Sequence, residues 1–416
     1  MLPIIDYYYR MKNILYNFFR NALLILFINS LVDAALAQTT ALTIDASKYS
    51  TLQQAVDALP ATGGIINIPP GNFEITKPIL IKTENTRLQG SGGSTHLINK
   101  NTAGEPAIIV SSGKDQLFRL ELSGFRISGN PKSGDGIYME QVQELMITDM
   151  TIDHNGGHGI NMKDCTENPR IANCNLNYNS KAGVNIDGGH DIIVSGNQFE
   201  ENQDALRIKD GFNLTMTGNN IDDHLRHGIV IENTYGSIIS SNMIEECQGT
   251  AIVLTAPASP ANRFCYGITI SANVIAHHLG GDIELNNAWG CAVSANTFTL
   301  VHNFSILVGP GTGGITISGN NFSNSRGKLG ARNEKNPFTW DVGSGVILKS
   351  ATDITISGNF FGKLTTEAVK ADENCSGILV SGNIMTELNQ GAQDGNKAID
   401  LGGAKDVLVK DNLIRK

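Results

Sequence analysis

Aromatic side chains are scarce in this sequence: 6% of 416 residues, with Trp289 and Trp340 the only tryptophans. Stacking on neutral sugars is therefore not the obvious binding mode, and the balance leans toward charged ligands. Six cysteines stand at 165, 174, 247, 265, 291 and 375. None form a CxxC pair, which argues against a zinc site. Most read as buried small apolar residues, with Cys247–Cys265 the one disulfide expected. Positive charge is not in excess: the formal net charge is −9. An acidic body argues against nucleic acid as a partner. It leaves room for an acidic polysaccharide where cations gather locally.

No apolar run reaches the ~20 residues that a bilayer-spanning helix needs. The N-terminus instead reads as a secretory signal. A charged stretch with Lys12 and Arg20 precedes the apolar run Ala22 to Ile28, and Ala35-Leu36-Ala37 offers small residues before Gln38. Cleavage is expected after Ala37, giving a secreted or periplasmic protein with no membrane attachment. Residues 1–37 carry Arg10, Lys12 and Arg20 against Asp6 and Asp33, so removing their net +1 leaves −10 on residues 38–416.

What the sequence does hold is a repeat. Ile193-Val-Ser-Gly-Asn197, Ile315-Thr-Ile-Ser-Gly-Asn320, Ile354-Thr-Ile-Ser-Gly-Asn359 and Ile378-Leu-Val-Ser-Gly-Asn383 are close copies. Anchor asparagines fall at 130, 155, 175, 197, 219, 242, 273, 296, 320, 359, 383 and 412, mostly 20 to 25 residues apart. Each repeat holds two short alternating runs, Ile-x-Ile-Ser-Gly-Asn and Gly-Ile-x-Ile. Period-2 alternation of β-branched residues means strands, and copies at one period must stack in register. Stacked asparagines can form an amide ladder. The expectation is an all-β, right-handed parallel β-helix filling residues 38–416 as one domain. Leu52, Ala55, Val56 and Leu59 share one helical face and would cap its N-terminal end. Longer steps around Ala256–Pro260, Ser323–Trp340 and Asn389–Lys397 read as surface insertions that wall a groove.

Aligning the Gly-Ile-x-Ile strands gives outward columns. One reads Glu140, Lys163, Asp187, Lys209, Glu232, alternating in charge: either a ladder of surface ion pairs worth ~0–1 kcal/mol each or a substrate-binding column. Another, at the bend, reads Asp135, His158, Ala182, Asp204, His227. Asp204 and His227 fall on neighbouring rungs, where a carboxylate would orient an imidazole and raise its basicity. Arg207, Lys209 and Arg226 gather around them. A second zone, His277-His278, Asp282, Glu284 and Asn286, could bind sugar or Ca²⁺ through oxygens; its ligands are too few to define a metal site.

Two resemblances extend this reading. Leu52-Gln-Gln-Ala-Val-Asp-Ala, Gly63-Gly-Ile-Ile-Asn-Ile-Pro-Pro-Gly71 and Leu88-Gln-Gly-Ser-Gly92 resemble the opening of the pectate-lyase-like β-helix superfamily, which includes rhamnogalacturonase-like hydrolases, lyases, epimerases and phage tailspikes. Gly157-His158-Gly159 and Arg207-Ile208-Lys209 look similar to polygalacturonase motifs. In that family the histidine supports catalysis and the cations grip uronate carboxylates; the paired-aspartate motif of the family is missing here. Arg226-His227-Gly228 resembles a turn of mannuronan epimerases and alginate lyases.

Together these point to an enzyme acting on an acidic polysaccharide or oligosaccharide by β-elimination. His227 would be the base, Asp204 its orienting partner and His158 an acid. Arg207, Lys209, Arg226, Asp187, Lys163 and Glu232 would hold substrate. The alternatives are a glycoside hydrolase using Asp187, Asp204 or Glu232, a C5-epimerase, and a non-catalytic glycan-binding solenoid.

Overall fold

Short runs such as Thr-Ile-Ser carry one inward apolar residue between two polar ones, too little to bury a helix face but enough for one strand of a stack. The computed structural model describes residues 42–257, 265–323, 343–388 and 397–415. The chain divides into two compact units, Met1–Leu42 and Thr43–Lys416, and the described strands all lie in the second. Residues 1–37, read above as a secretory signal, most of the three insertions, and Trp340 lie outside the described residues.

The strands form three parallel sheets of 17, 14 and 13 strands, visited in turn once per repeat, with a two-stranded ribbon at the corner between the third sheet and the first. One turn runs Ile193–Ser195, Gln198–Glu200, Asp204–Lys209; the next runs Thr215–Thr217, Asn220–Asp222, His227–Glu232. Every pairing is parallel and in register, such as Ile193↔Thr215, Gln198↔Asn220 and Leu206↔Ile229. Inward positions make one continuous apolar core. One of its columns stacks Phe298, Phe322 and Phe361 at 4.7 and 4.5 Å between ring centroids.

The bend from first to second sheet is two residues long. Its first residue is left-handed, either glycine (Gly196, φ 66°) or another residue such as Asn173 or Ala272 (φ 56° and 55°). Its second is an asparagine from Asn197 onward, buried as far as Asn383 and half-buried at Asn412. Asn273 Nδ2 donates to Asn296 Oδ1 (3.0 Å) and Ile239 O (3.1 Å), while Asn273 Oδ1 accepts from both the backbone N–H and the Nδ2 of Asn242 (3.0 Å each). The ladder runs unbroken from Asn197 to Asn412. The anchors at 130, 155 and 175 do not belong to it. Phe125, Met150 and Cys174 occupy that column in the earlier rungs, all buried. Asn155 instead starts a second ladder, at the bend from second to third sheet, through Asn179 to Asn202 (2.8 Å at each step). Asn175 is simply the first residue of an outer strand.

The N-terminal end is closed by the helix Leu52–Asp57. Thr51 caps it, its hydroxyl accepting from Gln54 N (3.2 Å), and Ala55 and Val56 are buried. Gln53 lies over the strand edge: its Oε1 accepts from Leu80 N (2.7 Å) and its Nε2 donates to Leu80 O (3.2 Å), as a neighbouring strand would.

The Cys247–Cys265 disulfide is not formed; all six cysteines are buried free thiols. Cys247 sits at the bend before the third sheet. Cys265 lies at the opposite corner, its Sγ donating to Thr255 O (3.1 Å). Burial pushes the Cys247 thiol far up and the Cys265 thiol up to about 11.

Two stability predictions follow from these columns. Asn273→Ala strips partners from Asn242 N, Asn242 Nδ2 and Ile239 O. It should cost upward of about 3 kcal/mol at roughly 1–3 kcal/mol per buried orphan, read as a lowered urea midpoint with an unchanged slope. Asp282 has the opposite sign. It occupies an inward position that is glycine or alanine on rungs such as Gly228 and Ala251, it is fully buried, and neither carboxylate oxygen has a partner. Burial raises its pKa well above the usual value, so the folded state holds a proton that the unfolded state releases above about pH 4. Asp282→Ala should therefore stabilise the protein at pH 7, by about 1–3 kcal/mol, and this gain should shrink toward pH 4.

Candidate active-site face

The third sheet turns two outward columns and its entering bend toward solvent. The register matches the sequence alignment: Ala182↔Asp204↔His227 at the bend, Asn185↔Arg207↔Val230 in the middle, and Asp187↔Lys209↔Glu232 at the far end. Adjacent rungs lie ~4.8 Å apart.

Asp204 is the fixed point. It is fully buried and accepts from Arg226 Nε (2.9 Å), Arg226 Nη2 and the backbone N–H of His227 (3.1 Å), with Arg207 Nη1 at 3.5 Å. Burial alone would raise its pKa. The Arg226 hydrogen bonds, the His227 amide and the two guanidinium charges overcome that and hold the carboxyl below its usual range. Arg226 and Arg207 remain partly exposed, at 40% and 33% of the side chain. Two cations are thus pinned by a carboxylate that solvent cannot reach.

The histidines do not play the part expected of them. Asp204 takes the amide of His227, not its ring. The ring's Nδ1 accepts the backbone N–H of Thr250 (3.0 Å), so the proton of the neutral imidazole sits on Nε2. His158 repeats the arrangement: Asp135 Oδ1 accepts its amide (2.7 Å), and its Nδ1 accepts Ala182 N (3.1 Å). Burial is the main cause that lowers both pKa values, His158 to about 4, assisted by nearby Lys181 and Arg207 in the case of His158. Both rings are neutral Nε2–H donors at pH 7. His227 becomes a base at Nε2 only by moving its proton to Nδ1, which orphans Thr250 N at a cost of about 1–3 kcal/mol. His158 and Asp204 stand two rungs apart, with Ala182 between them.

Sequence reasoning missed the amide row in the middle column. Asn185 Nδ2 donates to Asn161 Oδ1 (3.0 Å), and Asn161 Nδ2 to Asp135 Oδ2 (2.8 Å), leading up to Arg207. The signal was present, since these are the outward fourth positions of aligned strands. In the far column, Lys163 pairs with Glu140 (2.7 Å) while Lys209 reaches Asp210 (4.0 Å). The first contact is a surface ion pair; Asp187, Lys209 and Glu232 are left facing solvent in succession.

Comparison with known proteins bears on the fold. A family described as "Right handed beta helix region" matches residues 135–266. No curated protein matches significantly in sequence. Among solved structures, DFA-IIIase from Arthrobacter chlorophenolicus A6, in complex with GF2, is 14% identical over 81% of this chain and 93% of its own, with a TM-score of 0.56. The Dettilon tailspike protein (gp208) is 14% identical over 90% of this chain and 67% of its own, at 0.55. The mannuronan C-5 epimerase AlgE4 A-module of Azotobacter vinelandii is 13% identical over 89% and 100%, at 0.52. This chain spans 61% of the length of Geobacillus virus E2 ORF18, a looser match at 0.38. The fold is a right-handed parallel β-helix.

The second zone read from the sequence is dispersed by the β-helix. His278 is fully buried, its Nδ1 accepting Cys247 N (3.1 Å) and its Nε2 donating to Ile244 O (3.2 Å). Asp282 points inward. Glu284 and Asn286 bond each other outside (2.7 Å), and His277 pairs with Glu246 (2.7 Å). Among the described residues, three groups bring potential metal-ligand atoms within 4.8 Å of one another: Glu167-His190-Asp191, Glu245-Glu246-His277 and Asp222-Asp223-Glu246. None includes Asp204, His158 or His227.

His278 gives a pH test of the bend. Its folded pKa is depressed to about 3 by burial, so its contribution is intact above pH 6.5 and lost as pH falls through that value toward 3. Between pH 7 and 4.5 the wild type should lose about 2–3 kcal/mol more than His278→Asn does. Asparagine already fills this column at 155, 179 and 202. Paired denaturant titrations at the two pH values read the difference.

Proposed function

We propose that this β-helix binds an acidic polysaccharide across its third sheet and cleaves it by elimination at a uronate. The observation that carries the reading is the buried Asp204 holding two partly exposed guanidiniums beside two neutral Nε2–H imidazoles. Removing the proton alpha to a carboxylate builds negative charge on that carboxylate. Fixed cations and neutral donors are what such a site requires, and pre-fixing them avoids reorganisation during the reaction. In this arrangement Arg207 and Arg226 grip the carboxylate. His227 donates from Nε2 to the developing enolate, as a neutral imidazole can. His158, three rungs from His227, donates to a neighbouring sugar unit. Lys209, Asp187 and Glu232, together with Lys163 and its partner Glu140, line the outer column where flanking units pass. Elimination breaks the C–H and the glycosidic C–O bonds and leaves a C=C bond in the product; solvent water on the exposed face takes the C–H proton and gives one to the departing glycosidic oxygen, which leaves as a hydroxyl.

A hydrolase acid at Asp204 is disfavoured by its burial and its arginine partners, which keep it ionised. The similar fold of a protein named as a mannuronan C-5 epimerase supports a polysaccharide substrate without fixing the reaction. The secretory signal read in residues 1–37 would place the enzyme where such polymers are met.

The test is a panel of polyuronates and pectin digested by the mature protein, followed by ultraviolet absorbance of unsaturated uronate and by reducing ends. Absorbance together with new ends is the expected result; ends without absorbance would replace elimination with hydrolysis. Arg207→Ala should lower kcat/KM by about 10²–10³. His227→Gln, which keeps an acceptor and a donor, should cost no more than about tenfold if the ring donates. A loss as large as that of Arg207→Ala would return the base to His227.

A further inference from the structure

Four aromatic residues and a histidine form a row on the surface. At the corner between the third sheet and the first, His190, Phe212, Tyr235, Tyr266 and Trp289 occupy one column on five successive rungs, paired in parallel. Each of the first three lies three residues past a member of the charged column: Asp187 before His190, Lys209 before Phe212 and Glu232 before Tyr235. Phe212, Tyr235 and Tyr266 are exposed at 38%, 54% and 54%.

The rings are not one closed stack. His190 and Phe212 stack tightly (4.6 Å, 7°), but Phe212 and Tyr235 stand 6.2 Å apart and tilted by 50°, which opens ring faces to solvent. Further along, the rings lie back on glycines of the next rung. A Cβ on Gly290 would come within 3.4 Å of the Tyr266 ring, and one on Gly313 within 2.8 Å of Trp289 Cη2. Trp289 is anchored there by its Nε1–H to Gly311 O (2.9 Å). Polar groups flank the rings: Asn213 donates to Asp191 (2.8 Å) and Asn233 to Asp210.

We propose that this corner is a second binding track, holding the sugar units of the same acidic glycan that lie beyond the reacting unit, through the apolar faces of their rings. The proposal rests on the acidic-polysaccharide reading above. Three features select a glycan chain. The row is long and one side chain wide, ~19 Å over four rung steps. Its three most exposed rings present only about 300 Å², well short of the roughly 800 Å² that each partner of a stable protein pair buries. And it borders the charged column without a break, so a chain bound at Arg207 that runs along the solenoid passes beside it. Aromatic faces for C–H surfaces and carboxylates or amides for hydroxyl groups form a matched set for a pyranose.

The experiment is affinity electrophoresis of the full mature protein through gels containing polygalacturonate, alginate or a neutral glucan. It compares wild type, Tyr235→Ala/Tyr266→Ala, Tyr235→Leu/Tyr266→Leu, Tyr235→Phe/Tyr266→Phe and Arg207→Ala. The leucine pair keeps apolar bulk at the corner should the alanine pair fail to fold. Expected is retardation of wild type in an acidic gel, about tenfold weaker binding for the leucine and alanine pairs, and near wild-type binding for the phenylalanine pair. If both truncated pairs are retarded as strongly as wild type while Arg207→Ala is not, the track is overturned and the Arg207 face stands. If wild type is retarded in no gel, the acidic-glycan reading falls and the track falls with it.

Discussion

The hydrogen bond from one rung to the next governs everything else in this molecule. Each strand pairs only with its counterparts on the neighbouring turns, always in parallel and in register. Side chains therefore cannot be placed one at a time. They come in columns ~4.8 Å apart, and each column holds residues that tolerate their own kind above and below. Isoleucine on isoleucine suits an inward column. Asparagine on asparagine suits a bend, because one amide has the donors and acceptors to satisfy the next. Asp282 shows what happens otherwise. An inward column gives it no partner, and the protein keeps it neutral rather than charged.

The same constraint couples structure to chemistry on the third sheet. At the entering bend an outward N–H on each rung needs an acceptor, and Asp135, His158, Asp204 and His227 supply one to the rung that follows. That structural duty fixes the tautomer of both histidines. It also fixes one oxygen of Asp204, leaving the carboxylate to gather Arg226 and Arg207 with what remains. The candidate face is thus built from groups already committed to the backbone, which limits each histidine ring to its Nε2 for any ligand.

This explains how much could be read from the sequence. Strand alternation has period 2 and the repeat is regular, so the columns of the third sheet, including Ala182↔Asp204↔His227, align without a structure. The bends break alternation, and there the reading failed. Asn155 and Asn175 look like ladder anchors because they precede or follow apolar residues at the right interval, while the true ladder position is held by Met150 and Cys174 on those rungs. His278 and Asp282 look like surface ligands for the same reason, yet both face inward. Cys247 and Cys265 are near in sequence, but they sit at different corners of the turn. Composition misled as well. A chain poor in aromatics can still line up four of them with a histidine, because a solenoid concentrates on one edge whatever recurs once per turn.

Net charge poses a last question for the proposed substrate, since an acidic protein would have to hold a polyanion. The sheets resolve it. Asp222, Asp223, Glu245 and Glu246 crowd together on the second sheet and its bend, where burial and then mutual repulsion push Asp222 up to about 6. Arg207, Lys209 and Arg226 lie on the third. At physiological salt, charges farther apart than ~8 Å are largely screened when exposed. A polyanion arriving at the third sheet therefore responds to the local cations more than to the −9 of the whole chain, while the second sheet repels it. With carboxylates crowded on the second sheet and mixed charges on the third, where Asp187 and Glu232 flank Lys209, an acidic chain would meet less repulsion at the third.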